Sequence, residues 1–246
     1  MTSFDAAKRL RILRQHVQTD QLLGVEAVPV GQAADQPPLP STAPDVGRLG
    51  RDAKIQILEA IDRDEVQACD KCELCHSRTR TVFGEGDPDA PIMFVGEGPG
   101  MNEDQQGRPF VGRAGELLNK MIAAMGFERQ QVYIANIVKC RPPENRTPTP
   151  AEAMTCWDYL RRQIQTIQPR VIVAVGGPAA KMLLDTTVGI TALRGTWQAI
   201  DGLGPGGAAI PVMPTFHPAY LLRQYTPDNR AKVWSDLQQV MTLLQD

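Results

Sequence analysis

Four short apolar runs, each followed by a helix-forming stretch, constrain this chain more than any other feature. PIMFVG (91–96), VYIANIVKC (132–140), RVIVAVG (170–176) and AIPVMPTF (209–216) have strand length and are rich in Val and Ile. AGELLNKMIAAMGF (114–127) puts Leu117, Leu118, Met121, Ile122 and Met125 on one helical face and closes at Gly126. Thr149, Pro150 and Glu152 suit the N-cap, N1 and N3 positions of a helix running to about Ile167. GPAAKMLLD (177–185) is a helix behind the third run, TWQAI (196–200) is a hairpin arm before the fourth, and 228–245 form a last helix. The expected fold is α/β, a three-layer α/β/α sandwich around a central, mainly parallel four-stranded sheet. Ligands of such sheets bind beyond the carboxyl ends of the strands.

Residues 1–50 read differently. FDAAKRLRILRQH (4–16) suits a short helix, and the stretch around QPPLPSTAP has the composition of a tether. The expected organisation is an appendage over 1–50 and one domain over 51–246. In that domain 51–68 forms a helix leading into a cysteine cluster, with Ile55, Ile57, Leu58, Ile61 and Val66 at helical spacing. A formal charge of −2 excludes a histone-like basic binder and leaves local basic loops as the route to nucleic acid. No run approaches the ~18 apolar residues of a membrane span, and no export signal is legible, so a cytoplasmic, nucleoid-associated protein is expected.

The five cysteines are Cys69, Cys72, Cys75, Cys140 and Cys156. Their number is odd, and three share C-x-x-C-x-x-C spacing. That pattern points to a metal or cluster site rather than a disulfide framework. Spacing alone leaves either Cys69–Cys72 or Cys72–Cys75 as the pair, and leaves zinc and an iron–sulfur cluster about level.

Each strand exit carries chemistry. The first runs into Gly96-Glu97-Gly98-Pro99-Gly100, then Glu103 and, further on, Phe110. The second presents Asn136 and then Lys139-Cys140-Arg141. The fourth ends in Phe216-His217-Pro218 and Leu221-Leu222-Arg223. Taken singly, each has a plain reading: turn glycines, a satisfied polar residue in a strand, a helix cap. GGPAA after the third strand lacks phosphate-loop spacing and reads as a tight strand-to-helix turn. Together, a glycine turn, carboxylate, carboxamide, imidazole and aromatic ring on one rim make a pocket for a small polar heterocycle.

The motifs GEGPGMNEDQQGRPFVGRAGELL, NIVKCRPPENR and HPAYLLR resemble those of the family 4 uracil-DNA glycosylases, the iron–sulfur type of bacteria and archaea. The resemblance covers about residues 69–246. It implies a [4Fe-4S] cluster on Cys69, Cys72, Cys140 and Cys156, with Cys75 spare and a structural rather than redox role. It also implies a monofunctional enzyme of base excision repair that releases uracil from a flipped-out deoxyuridine in single- or double-stranded DNA. His217 is then the donor to uracil O2, and Asn136 reads O4 and N3–H against cytosine. Phe110 stacks on the ring, and the Glu97-Gly98 turn meets the pyrimidine edge. Gly98 stands where family 1 enzymes place an Asp, so Glu97 and Glu103 become the candidates for activating water. Gly100 stands where family 1 has a Tyr that excludes thymine, which leaves Glu103 to block a 5-methyl group. Leu221 is a candidate wedge, and Arg141, Arg146 and Arg223 are candidate phosphate contacts. A monomer is expected, and residues 1–50 are free to dock a repair or replication partner.

Three other readings compete. A related iron–sulfur protein traps uracil-DNA covalently through a loop histidine, but the loop 142–152 here has none. A non-catalytic uracil-DNA-binding module would bind without releasing uracil. A redox protein would depend on cluster reduction.

Overall fold

The computed structural model describes residues 49–245. The readings made for 1–48, the short helix and the tether, lie outside the described residues. The strands are β1 (Glu85–Gly86), β2 (Ile92–Gly96), β3 (Tyr133–Asn136), β4 (Val171–Val175), β5 (Gln198–Ile200) and β6 (Ile210–Thr215). They lie in the order β1-β3-β2-β4-β6-β5. The inner four are parallel, and β1 and β5 pair antiparallel at the edges. The four expected strands are thus the centre of a six-stranded sheet. The hairpin arm expected at 196–200 is β5. The two-residue β1 has no signal in the sequence. The second strand is shorter than expected and ends at Asn136, because the chain there turns away toward the cysteines.

The helices are α1 (Arg51–Ala60), α2 (Met101–Gln106), α3 (Arg113–Ala124), α4 (Pro150–Ile167), α5 (Gly177–Leu183), α6 (Ile190–Leu193), α7 (Pro218–Arg223) and α8 (Pro227–Gln245). A π-helical stretch, Ile61–Val66, continues α1 toward the cysteines. Every residue of β2 and β4 is buried, so these strands read as continuous apolar runs. Ile92, Phe94, Val171 and Val173 face one side, with Leu118 of α3, Leu221 of α7 and Trp234 of α8. Met93, Val95, Ile172 and Ala174 face the other, with Leu58 of α1, Leu160 of α4 and Ala180 of α5. Those are the three layers.

The expected cap of α4 is present. Glu152 N–H donates to Thr149 Oγ1 at 3.2 Å, and Thr149 N–H donates to Glu152 Oε2 at 2.8 Å. From β2 the sheet grows to one side through β3 and to the other through β4 and β6. The switch point, where a crevice opens, therefore lies between β2 and β4.

Candidate active site

A cavity of about 610 Å³ opens beyond the carboxyl ends of the parallel strands at this switch point. Glu97, Gly98 and Gly100 line it after β2, Asn136 at the end of β3, Gly176 and Gly177 after β4, and Phe216 and His217 after β6. GGPAA forms the tight turn expected of it: Gly176 has φ +101°. A Cβ there would stand 3.0 Å from His217 Cβ, so the same turn backs the histidine.

His217 caps α7. Its Nδ1 accepts the Ala219 N–H at 3.0 Å. A nitrogen that accepts is bare, so the proton of the neutral ring sits on Nε2. Burial, helped by the Arg223 charge and opposed by Glu103, lowers the pKa of this ring to about 4. At neutral pH Nε2–H is therefore an uncharged donor. The ring stacks on Phe110 with centroids 5.6 Å apart and an interplanar angle of 29°.

Phe110 is buried at φ +49°, the left-handed region that costs a bulky residue about 1–3 kcal/mol. Arg129 holds it there. Its Nη1 donates to Phe110 O at 3.2 Å and Asn119 Oδ1 at 2.7 Å, its Nη2 to Pro109 O, and its Nε to Glu85 Oε1 at 2.8 Å. A Cβ at Gly115 would come within 1.9 Å of Phe110 O, so α3 can begin so close only with glycine at that position.

Asn136 is 2% exposed, and its Oδ1 has no hydrogen-bond partner among the described residues. A buried acceptor left so costs about 1–3 kcal/mol. A Cβ on Gly96 would lie 2.4 Å from that oxygen and 2.7 Å from Phe110 Cζ, so Gly96 keeps the slot open. The main-chain oxygen of Asn136 accepts from the buried Lys139 Nζ at 2.9 Å.

The two carboxylates differ. Burial pushes the Glu97 carboxyl above its ordinary range, against a hydrogen bond from Thr147. Glu103 also lines the cavity, but its Oε1 accepts from Val111 N–H at 2.8 Å and Gly112 N–H at 2.9 Å. Its Oε2 accepts from Gly100 N–H at 3.1 Å. Its oxygens are thus engaged in capping α2 and in holding the 110–112 turn. At Gly98 a Cβ would stand 2.8 Å from Val138 Cγ2, so packing keeps that position small.

The candidate DNA contacts divide. Arg223 lines the cavity mouth. Arg141 donates from Nε to Asn145 Oδ1 at 2.8 Å. Arg146 also lines the cavity, but both its Nη atoms are bonded to Glu152, at 2.8 and 2.7 Å. Leu221 requires a correction: it is 2% exposed in the core between α3 and α8 and cannot enter a base stack. Its neighbours Leu222, 37% exposed, and Tyr225, 51% exposed, face outward instead. Sequence reasoning gave no role to Arg129 or Lys139, because a cation whose partners come from several distant segments leaves no motif. The walls formed by Asn145 and Thr147 were findable in PPENRTPTP as a loop following a strand exit.

All five cysteines line one small pocket between the 66–78 segment, the 138–140 loop and α4. Cys140 and Cys156 are buried, and Cys69 and Cys72 pack partly buried against the same core. Cys69 and Cys72 act electrostatically on Cys140, and Cys140 and Cys69 on Cys156. Cys140 Sγ accepts from Arg78 Nη1 at 3.2 Å, and Cys156 Sγ from Lys139 N–H at 3.3 Å. Among the described residues no three of these thiols group as the ligands of a single metal ion do.

The chain matches the family model of the uracil DNA glycosylase superfamily over residues 83–238. It is 46% identical to a type-4 uracil-DNA glycosylase of Thermotoga maritima over 190 residues, 77% of this chain and 95% of that protein. A type-4 uracil-DNA glycosylase of Sulfurisphaera tokodaii is 44% identical, covering 74% of this chain and 82% of its own length. One from Archaeoglobus fulgidus is 41% identical, covering 72% and 88%.

Proposed function

The chain belongs to the type-4 uracil-DNA glycosylases, hydrolases of DNA repair, and on that footing we propose that its cavity grips a flipped-out deoxyuridine and cuts the bond between uracil and sugar. Asn136 Oδ1 accepts uracil N3–H, and its amide NH₂ donates to O4. Cytosine reverses both positions and is refused. Phe110 stacks on the ring, and the Glu97-Gly98 backbone follows the pyrimidine edge. As the C1′–N1 bond breaks, the base leaves with negative charge on O2, where His217 Nε2–H donates to it. Water then bonds to C1′, and its proton passes finally to the departing base. Glu97 is the better carboxylate for guiding that water and stabilising the sugar cation, since its oxygens are less committed than those of Glu103. Glu103 shapes the slot near the 5-position. Arg141 and Arg223 hold phosphates, Arg146 serves the loop through Glu152, and Leu222 with Tyr225 takes the wedge role first assigned to Leu221.

We place a [4Fe-4S] cluster on Cys69, Cys72, Cys140 and Cys156. The convergence of these thiols on one pocket supports it. The cluster would supply a structural cross-link and no electron to the hydrolysis.

The single observation that carries the base reading is the orphaned Oδ1 of Asn136 on the wall of a cavity that also holds His217 in a fixed tautomer. The test is uracil release from end-labelled oligonucleotides bearing one uracil, one thymine or neither, followed by alkali. Cleavage at uracil alone is expected, and its loss in Asn136→Ala and His217→Ala variants that fold. Wild-type protein with its brown colour intact that binds uracil-DNA but releases nothing would overturn the reading in favour of a binding module.

A further inference from the structure

Behind the base-reading wall lies a charge that the cavity chemistry does not use. Lys139 is 1% exposed. Its Nζ donates to Asn136 O at 2.9 Å and Gln163 Oε1 at 2.6 Å, and stands 5.8 Å from the Phe83 ring centre. None of these is a carboxylate, and the carboxylate that acts on it electrostatically, Asp62, makes no hydrogen bond to it. A buried ammonium is costly to keep, so its retention calls for a reason. The geometry at the end of β3 supplies one. Ile137 N–H bonds to Gly96 O on the β2 side, so by alternation the main chain of Asn136 faces the other edge. There β1 reaches only to Ile134. The Lys139 ammonium takes the carbonyl that no strand residue meets.

The same residue is fixed at its other end. Its main-chain N–H donates to Cys156 Sγ, and the next residue is Cys140. Gln163, on the helix that carries Cys156, is itself anchored, donating to Phe83 O at 3.0 Å and Tyr133 Oη at 3.2 Å. We propose that Lys139 is a positioning residue that pins the Asn136 main chain to the wall of the cysteine pocket, and so fixes the amide that reads the base. The proposal rests on the base-reading role given to Asn136 above.

The test uses the full chain with its visible absorbance intact. Lys139→Met keeps the main-chain N–H to Cys156 and removes only the ammonium. Gln163→Met removes the far acceptor and serves as a second variant. The expected result is retained visible absorbance, a roughly tenfold rise in the inhibition constant for free uracil, and a smaller change in kcat. An Asn136→Ala/Lys139→Met double variant should be no weaker toward uracil than Asn136→Ala alone, because the lysine acts through that residue. Unchanged uracil inhibition in Lys139→Met, full additivity in the double variant, or failure of both single variants to fold with their absorbance would overturn the pin. Asn136→Ala is the separate control. If it alone leaves uracil inhibition unchanged, the base-reading role falls. If it weakens uracil while Lys139→Met does not, only the pin falls.

Discussion

Ala219 decides which nitrogen of His217 is left for chemistry: its main-chain N–H occupies Nδ1 at 3.0 Å, and the proton of the neutral ring must sit on Nε2. Protonation would turn Nδ1 into a second donor aimed at the donor of Ala219. The folded ring has a pKa of about 4 against an ordinary 6.5, so as pH falls the unfolded chain takes the proton first. The His217 contribution to stability is full above about pH 6.5 and is lost as pH falls through about 4. Single-turnover uracil release should show no His217 limb between pH 8 and about 5, then fall as the ring charges near 4. His217→Ala should lose about 10²–10³ in rate at neutral pH. A limb centred near 6.5 would contradict this picture.

Gly96 bears on the slot with no side chain at all. A methyl there meets both Asn136 Oδ1 and the Phe110 ring closer than 3 Å. Gly96→Ala should fold, since its neighbours on that side are side chains, yet release uracil at least tenfold more slowly. Thermal unfolding measured beside the release assay separates the two effects.

The cysteines give a simple contrast. Cys75→Ala should keep the iron content and visible absorbance of the parent if, as proposed, Cys75 is the thiol left out of the cluster. Cys156→Ala should lose both. If Cys72 and Cys75, rather than Cys69 and Cys72, form the pair, iron analysis of the five single variants would show Cys69→Ala keeping iron and Cys75→Ala losing it.

Adjacent leucines should part company. Leu221→Ala empties a core position and should cost about 2–5 kcal/mol in urea unfolding. Leu222→Ala should leave stability within about 0.5 kcal/mol and slow release from duplex DNA more than from single strands. Equal loss on both substrates would remove Leu222 from the wedge role.

Much of this was legible in the residues. Buried parallel strands announce themselves as apolar runs, and the Thr149-Pro150-Glu152 cap is a local pattern with a local cause. His217 and Asn136 stood out not singly, since each has a plain reading alone, but because they came with a glycine turn, a carboxylate and an aromatic ring at neighbouring strand exits. What was missed depends on tertiary contact. In the six-residue α7, periodicity does not say which of Leu221 and Leu222 turns inward; only the packing of α3 and α8 does. Glu103 reads alike as base, methyl gate or cap, and three main-chain N–H groups that commit its oxygens are invisible before folding. Arg129 gathers partners from β1, from α3 and from the 109–110 turn, which no spacing rule connects.

The switch point between β2 and β4 has a consequence for the history of such a chain. Every group proposed to grip the base sits on the last rung of a strand, just past it, or in the loops beyond, while the rungs themselves are held by main-chain bonds indifferent to side-chain identity. A lineage can therefore trade one preferred base for another at the strand tips and inherit the sheet unchanged.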